Sequence, residues 1–101
     1  MNILSNAFSI QMLANFPADV HIEQIEASDI PQDVISCIGH ADTANVLSDI
    51  LGFDIPCNRQ SVTVDKDTTL YVAQVVGGRL PEGATTLPDG CDIRFMKVSI
   101  N

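Results

Sequence analysis

The sequence predicts a single α/β (α+β) domain, residues 1–101, with a mixed β-sheet, one main helix and short helices. Three observations support this. Short apolar runs rich in Val, Ile and Thr recur along the chain, one stretch has helical spacing with capping residues, and polar turns separate these segments. At 101 residues the chain is long enough for one two-layer core and too short for a second.

The first half of the chain contains two predicted strands and the main helix. Asn2 to Ser5 is a short, mainly apolar run that predicts a strand. Asp19 to Ile25 predicts a second strand, in which His21 alternates with apolar residues and faces solvent. Ala41 to Leu51 has apolar residues at helical spacing, capping chemistry at its start and a glycine after its end, which predicts a helix.

The second half of the chain contains the remaining strands. Ser61 to Val64 and Leu70 to Val76 are rich in β-branched residues and flank the polar stretch Asp65 to Thr68, so we expect a hairpin. Leu70 to Val76 is nearly all apolar, which predicts a central strand. A Thr/Pro/Gly loop, Ala84 to Gly90, precedes a closing strand over Ile93 to Ile100.

Composition argues against several classes of function. The formal net charge is −8, and binding to long nucleic acid needs a basic face that 5 Lys and Arg residues do not supply. No apolar run is long enough to cross a bilayer and no secretory signal is visible, so we expect a cytoplasmic protein without membrane contact. The three cysteines lack the spacing of a disulfide framework or a zinc site. The sequence also contains no Gly-rich phosphate-binding loop and no metal-ligand array, so no cofactor is expected.

Three short polar clusters that follow apolar runs are the candidate functional segments. They are Asn6 to Ser9, Ile38 to His40 and Gly78 to Gly83. His40 combines a group that transfers protons near neutral pH with a helix N-terminus that attracts anions, and Gly39 lets the backbone approach a ligand closely. Arg79 can clamp an anion with Glu82 as an acidic brace. Each residue also has an ordinary explanation, as a helix start, a surface ion pair or, for Ser9, a helix cap.

Taken together, these clusters resemble the viral type III anti-CRISPR ring nucleases. That family of small proteins from archaeal viruses also occurs in bacteriophages and prophages. The matching segments are Asn6 to Met12, Ile38 to His40, the helix that ends before Gly52, Asn58-Arg59 and Arg79 to Gly83. The resemblance implies a metal-independent enzyme, acting as a two-fold homodimer in the host cell cytoplasm. Its substrate would be cyclic tetra-adenylate, the second messenger of type III CRISPR systems, so its action would suppress CRISPR immunity.

The resemblance also implies roles for individual residues. His40 would act as general acid, Arg79 would hold phosphate and Glu82 would support the catalytic geometry. Asn6, Ser9 and Gln11 would line the nucleotide pocket beside Gly39. A ribose 2′-hydroxyl would attack its own 3′-phosphodiester while His40 protonates the departing 5′-oxygen, which leaves linear products with 2′,3′-cyclic phosphate ends.

Two departures from the family pattern keep other functions open. The loop Ala84 to Gly90 is shorter than the helical segment usual there, and Pro81 stands where a charged residue is common. One alternative is a non-catalytic sponge that sequesters a cyclic oligonucleotide signal. Another is a protein-interaction module whose acidic surface mimics nucleic acid.

Overall fold

Residues 1–101, described from a computed structural model, form a five-stranded mixed sheet with a helix on one face. The strands are β1 (Asn2–Ser5), β2 (Val20–Ile25), β3 (Ile35–Ser36), β4 (Thr69–Val76) and β5 (Asp92–Ile100). The helix is α1 (Ala41–Leu51), and single 3-10 turns cover Ile10–Met12 and Ala27–Asp29. The order across the sheet is β2-β5-β4-β1-β3. The mixed sheet, its central β4 and the single main helix are as the sequence predicts.

Helix α1 has the bounds that the sequence predicts, because its end signals are local. The backbone turns left-handed at Gly52, with φ 79°, and the N–H of Gly52 donates to the carbonyl of Ser48 at 3.0 Å. Ala44, Val46 and Leu47 are buried, so one side of the helix packs against the sheet. No helix of the protein has the length and apolar character that a membrane crossing requires.

Both faces of the sheet are covered, although only one of them carries a helix. The core on the helix side includes Leu4, Ile38, Leu47, Tyr71, Ala73 and Ile93. The core on the opposite side includes Ile3, Val64, Leu70, Val72 and Val98. Phe8, Met12, Leu13 and Val62 pack onto this second core from segments outside the strands and α1. The chain therefore buries apolar area on two faces without a second helix.

The predicted hairpin of Ser61 to Val64 with Leu70 to Val76 is wrong. Val64 forms only an isolated parallel bridge with Leu13, while β4 pairs with β5 and β1. The polar turn between the two segments is stabilised by Asp65, whose Oδ1 accepts bonds from the Asp67 N–H and the Thr68 hydroxyl at 2.9 and 3.0 Å. The turn therefore connects the two segments without pairing Ser61 to Val64 with β4.

The parallel strands determine where the polar clusters meet. β1 pairs in parallel with both β3 and β4, so the carboxyl ends of these three strands lie at one edge of the sheet, here called the C-terminal edge. Asn6 follows β1, and Arg79 follows β4 after two glycines. The segment after β3 leads to His40 and the start of α1. Three clusters that are distant in sequence thus converge.

Candidate functional site

A cleft of about 480 Å³ lies at the C-terminal edge. The residues that line it are Asn6, His40, Asp42, Thr43, Gln74, Val75, Gly78, Arg79 and Leu80. His40 and Arg79, both predicted from the sequence as site residues, therefore line the same cleft, together with Asn6. An imidazole, a guanidinium and a carboxamide can between them donate hydrogen bonds to an anion and transfer a proton.

His40 begins α1 and leaves the start of the helix open. Its backbone is extended, its side chain makes no capping hydrogen bond, and its carbonyl accepts the first helical bond from the N–H of Ala44 at 3.0 Å. The N–H groups of the first helical turn have no acceptor within the helix. They are available to an anion in the cleft, which the helix dipole also favours.

Asn58 fixes the segment that leads to His40. Its side-chain amide donates to the carbonyl of Ser36 and its backbone N–H donates to the carbonyl of Ile38, both at 2.8 Å. Ile38 itself is fully buried. Ile38, two residues before His40, is therefore held in place both by burial of its side chain and by the hydrogen bond to its carbonyl.

Arg79 leaves β4 through a turn that only glycine fits. Gly77 has φ 88°, and a Cβ added there would collide with the carbonyl oxygen of Gly90. The two ends of the loop 77–90 are thus packed together, which fixes where the side chain of Arg79 starts. Arg79 is exposed and forms no ion pair, since the one pair within 4.0 Å joins His21 to Glu23. Its guanidinium is free to bind an anion.

Asp42 connects the loop to the helix. The N–H of Gly83 donates to Oδ1 of Asp42 at 3.2 Å, so this first-turn residue holds the middle of the loop 77–90 beside the cleft. A carboxylate here is favourable for the helix dipole and unfavourable for a bound anion. For an anion to bind, the repulsion from the Asp42 carboxylate would have to be outweighed by Arg79, the free N–H groups of α1 and a protonated His40.

Ser9 and Gln11 do not line the cleft. The hydroxyl of Ser9 accepts a bond from the N–H of Gln11 at 3.3 Å and caps the short 3-10 turn, which is the ordinary explanation the sequence offers. Both residues are exposed. Their roles in nucleotide binding stay predictions.

Gly39 and Glu82 flank the cleft without lining it. A Cβ at Gly39 would lie 3.3 Å from Cγ of Arg59, so the missing side chain makes room for that arginine stem. Glu82 is exposed on the loop and forms no ion pair with Arg79. The brace expected between Arg79 and Glu82 is absent in this geometry, and the catalytic role of Glu82 stays a prediction.

Thr43 and Gln74 line the cleft, and sequence reasoning missed both as site residues. Thr43 is buried in the first turn of α1, where the sequence predicts only capping residues. Gln74 is the one exposed residue of β4, whose other residues from Leu70 to Val76 are apolar or aromatic. The sequence does contain a signal for Gln74, which is a single carboxamide in a mostly apolar central strand. A polar side chain at such a position is expected to reach solvent, so it indicates a cleft beside the sheet.

A larger cavity, of about 630 Å³, lies away from all the predicted site residues. Its polar lining includes Asp19, Asp65 and Asp67, with Lys66 as the one cationic side chain. Three carboxylates against one ammonium disfavour a phosphate. The smaller cleft is the better candidate for an anionic ligand because it holds Arg79 and a helix N-terminus. No group of three or more His, Cys, Asp or Glu residues is arranged to hold a metal ion.

Cys37 precedes His40 by three residues in the sequence but is not suited to act as a nucleophile. It directly follows β3, and its N–H donates to the carbonyl of Leu4 at 2.8 Å. Burial raises the pKa of the Cys37 thiol, because the thiolate would lose its hydration. The thiol therefore stays neutral, which makes it a poor nucleophile.

The fold and the cleft together define a small α/β protein with a candidate anion site at one end of a mixed sheet. The chain belongs to the STIV B116-like family, whose model matches residues 2–94 and so includes every residue that lines the cleft. The structure is similar to that of B116 of Sulfolobus turreted icosahedral virus, at 26% sequence identity and a TM-score of 0.81. The match covers 97% of each chain. No curated protein matches the sequence.

Proposed function

We propose that this protein is a ring nuclease that opens cyclic tetra-adenylate without a metal ion. The observation that carries the proposal is the cleft at the C-terminal edge, in which His40, Arg79 and the open start of α1 face one space. A phosphodiester needs what these groups offer: charge neutralisation, hydrogen bonds from fixed donors and a proton for the leaving oxygen.

The reaction uses the nucleophile that RNA itself carries. The 2′-oxygen of one ribose forms a bond to the adjacent phosphorus, the bond from phosphorus to the 5′-oxygen breaks, and His40 gives its proton to that oxygen. The proton of the 2′-hydroxyl leaves to water. The products are a linear chain end with a 2′,3′-cyclic phosphate and a free 5′-hydroxyl.

Arg79 and the first turn of α1 hold the phosphate while the 2′-oxygen is brought into line. The contribution of the protein is then mostly positioning and electrostatic, which can account for large accelerations without a metal. Asn6 and Gln74 supply carboxamides at the wall of the cleft, where they can bind sugar or base. Glu82 is proposed to approach when the exposed loop closes over the substrate.

A two-fold homodimer suits a ring of four nucleotides. Two equivalent clefts that face each other can grip opposite phosphodiesters of one ring, so each chain makes one cut and two dinucleotides result. Membership in the STIV B116-like family and the similarity to a protein of an archaeal virus support a viral setting. Destruction of the signal in the host cytoplasm would suppress type III CRISPR immunity.

The experiment is to incubate the purified protein with cyclic tetra-adenylate in the presence of a chelator, remove the protein and separate the nucleotides by chromatography. Linear products with 2′,3′-cyclic phosphate ends are expected. Recovery of intact ring after stoichiometric binding would reject the nuclease and favour the sponge. Failure to bind cyclic tetra-adenylate would reject the nuclease as proposed here, and failure to bind any cyclic oligonucleotide would also reject the sponge and favour the acidic interaction module.

A further inference from the structure

Asp42 is the one acidic residue among those that line the cleft at the C-terminal edge. Arg79 is the one Lys or Arg residue in that lining. Asp42 lies in the first turn of α1, two residues after His40, and is half-buried. A phosphate that enters the cleft therefore meets a carboxylate as well as a guanidinium and the open start of the helix.

The charge of the Asp42 carboxylate is not neutralised by a neighbouring side chain. No Lys, Arg or His nitrogen lies within 4.0 Å of it, because the one such pair in the protein joins His21 to Glu23. The hydrogen bond that Asp42 does make is accepted by Oδ1 from the N–H of Gly83 at 3.2 Å, and that donor is neutral. A negative charge therefore remains at the wall of the cleft.

Two ordinary roles of Asp42 do not require a charge inside an anion site. The bond to Gly83 needs only an oxygen acceptor, which the carboxamide of an asparagine also supplies. An acidic residue in the first turn favours the helix dipole, but the exposed position of Ala41, which does not line the cleft, could carry one for that purpose. The position of the Asp42 charge at the cleft wall thus calls for a role in binding.

We infer that Asp42 is a specificity-determining residue, which makes the cleft favour a phosphodiester over a terminal phosphate monoester; the inference rests on the proposed function for its ligand, a cyclic oligonucleotide. A diester carries one negative charge, whereas a monoester carries about 1.5 to 2 near neutral pH. Arg79 attracts the additional charge of a monoester. The carboxylate of Asp42, at the wall of the same cleft, repels that additional charge and so opposes the gain.

This discrimination separates rings from linear nucleotides. A cyclic oligonucleotide has no chain ends, so each of its phosphates is a diester with one charge. Nucleoside triphosphates and oligonucleotides that end in a phosphate have terminal groups of higher charge, and these compete for the same donors. A like charge placed against the wrong ligand is a common means of specificity. Asp42 lowers the affinity for every phosphate and lowers it most for terminal ones.

The test uses two small probes, 2′-deoxyadenosine 3′-monophosphate and its methyl ester, at about pH 8, where the monoester has lost its second proton. The probes differ by one charge, and neither has a 2′-hydroxyl that could react. Asp42→Asn removes the charge and keeps the acceptor for Gly83. Dissociation constants come from NMR titrations of the backbone amides. The ratio of the two constants is expected to shift about tenfold in favour of the monoester in Asp42→Asn.

Two further variants separate the local charge from other effects. Asp49→Asn removes the same charge from an exposed position of α1 outside the cleft and should leave the ratio at the wild-type value. Asp42→Ala removes the acceptor for Gly83 as well and should shift the ratio as Asp42→Asn does. A shift in Asp42→Ala but not in Asp42→Asn, or an equal shift in Asp49→Asn, would overturn the inference.

The ring-opening assay is read separately from these ratios. A wild type that opens the ring, with a ratio that Asp42→Asn leaves unchanged, would overturn the role of Asp42 and leave the nuclease standing. A ratio that shifts as expected, in a protein that leaves the ring intact, would reject the nuclease and support the role of Asp42. Binding of neither probe at the C-terminal edge would also overturn that role.

Discussion

His40 and Arg79 are placed by the ends of elements and not by contacts of their own side chains. His40 makes no capping bond and Arg79 forms no ion pair, so neither has to be released before it can bind substrate. What fixes them is the backbone, through Asn58 on one side and the packing of Gly77 against Gly90 on the other. Substitution of either side chain should therefore change chemistry more than folding.

His40→Ala is expected to reduce single-turnover cleavage of cyclic tetra-adenylate by about a hundredfold or more, because the departing 5′-oxygen loses its proton donor. Binding of the ring should stay within about threefold of the wild type, since Arg79 and the helix start remain. His21→Ala is the matched control, as the other histidine is exposed on β2 and outside the cleft. Full single-turnover cleavage by His40→Ala would remove its role as general acid.

The buried thiol of Cys37 should make stability depend on alkaline pH. Its pKa is raised in the folded state above the ordinary value of 9.0, so the folded protein keeps the proton that the unfolded chain loses first. This contribution to the free energy of unfolding is complete below pH 9.0 and falls as pH rises through the folded-state value.

Urea unfolding of wild type and Cys37→Ala, measured on both sides of that pH, isolates the effect. The wild type should lose more stability than the variant on the alkaline side. Cys57→Ala is the control, because the Cys57 side chain is exposed. An equal loss in wild type and Cys37→Ala would show that burial of this thiol does not contribute.

Among the helices and strands, the sequence best predicts those features that depend on residues close together in the chain. The sequence predicts helix α1 with its observed bounds, because both its apolar spacing and its terminal glycine are local signals. The pairing of Ser61 to Val64 was mispredicted, because strand propensity does not identify a partner and the one that β4 takes, β5, lies beyond a long loop. The convergence of His40 and Arg79 depends on β1 running parallel to both β3 and β4, which local sequence signals do not specify.

Two glycines in the loop 77–90, Gly77 and Gly83, have similar positive φ angles and can be compared. Gly77 and Gly83 have φ of 88° and 79°, but only at Gly77 does an added Cβ meet another backbone atom. Gly83→Ala should cost about 1 kcal/mol of stability from backbone strain alone. Gly77→Ala should cost about 3 kcal/mol or more and should weaken ring binding, because the turn that precedes Arg79 must shift.

Urea unfolding of the two glycine variants, with a binding titration on each, checks this difference. Equal stability losses would mean that the contact between Gly77 and Gly90 does not hold the loop closed. Unchanged ring binding in a destabilised Gly77→Ala would mean that the position of Arg79 does not depend on that contact.

For the whole molecule, the charge distribution determines which end of the sheet can accept an anion. A chain of net charge −8 repels polyanions at long range, so a small cyclic oligonucleotide must be recognised by fixed donors at short range. The C-terminal edge offers such donors beside Arg79, whereas the larger cavity is lined by three aspartates against one lysine and so disfavours an anion. An anionic ligand is therefore expected to bind in the cleft at the C-terminal edge and not in the larger cavity.

The most direct measurement is a titration of the isotope-labelled protein with cyclic tetra-adenylate whose 2′-hydroxyls are replaced by hydrogen, followed by NMR of the backbone amides. This ring keeps every phosphate but lacks the nucleophile, so it can bind without being opened. The largest shifts are expected at Asn6, at Ala41 to Thr43 and at Gly78 and Arg79. Shifts concentrated at Asp65 to Asp67, or none at the C-terminal edge when the ring is bound, would contradict the assignment of this cleft as the functional site.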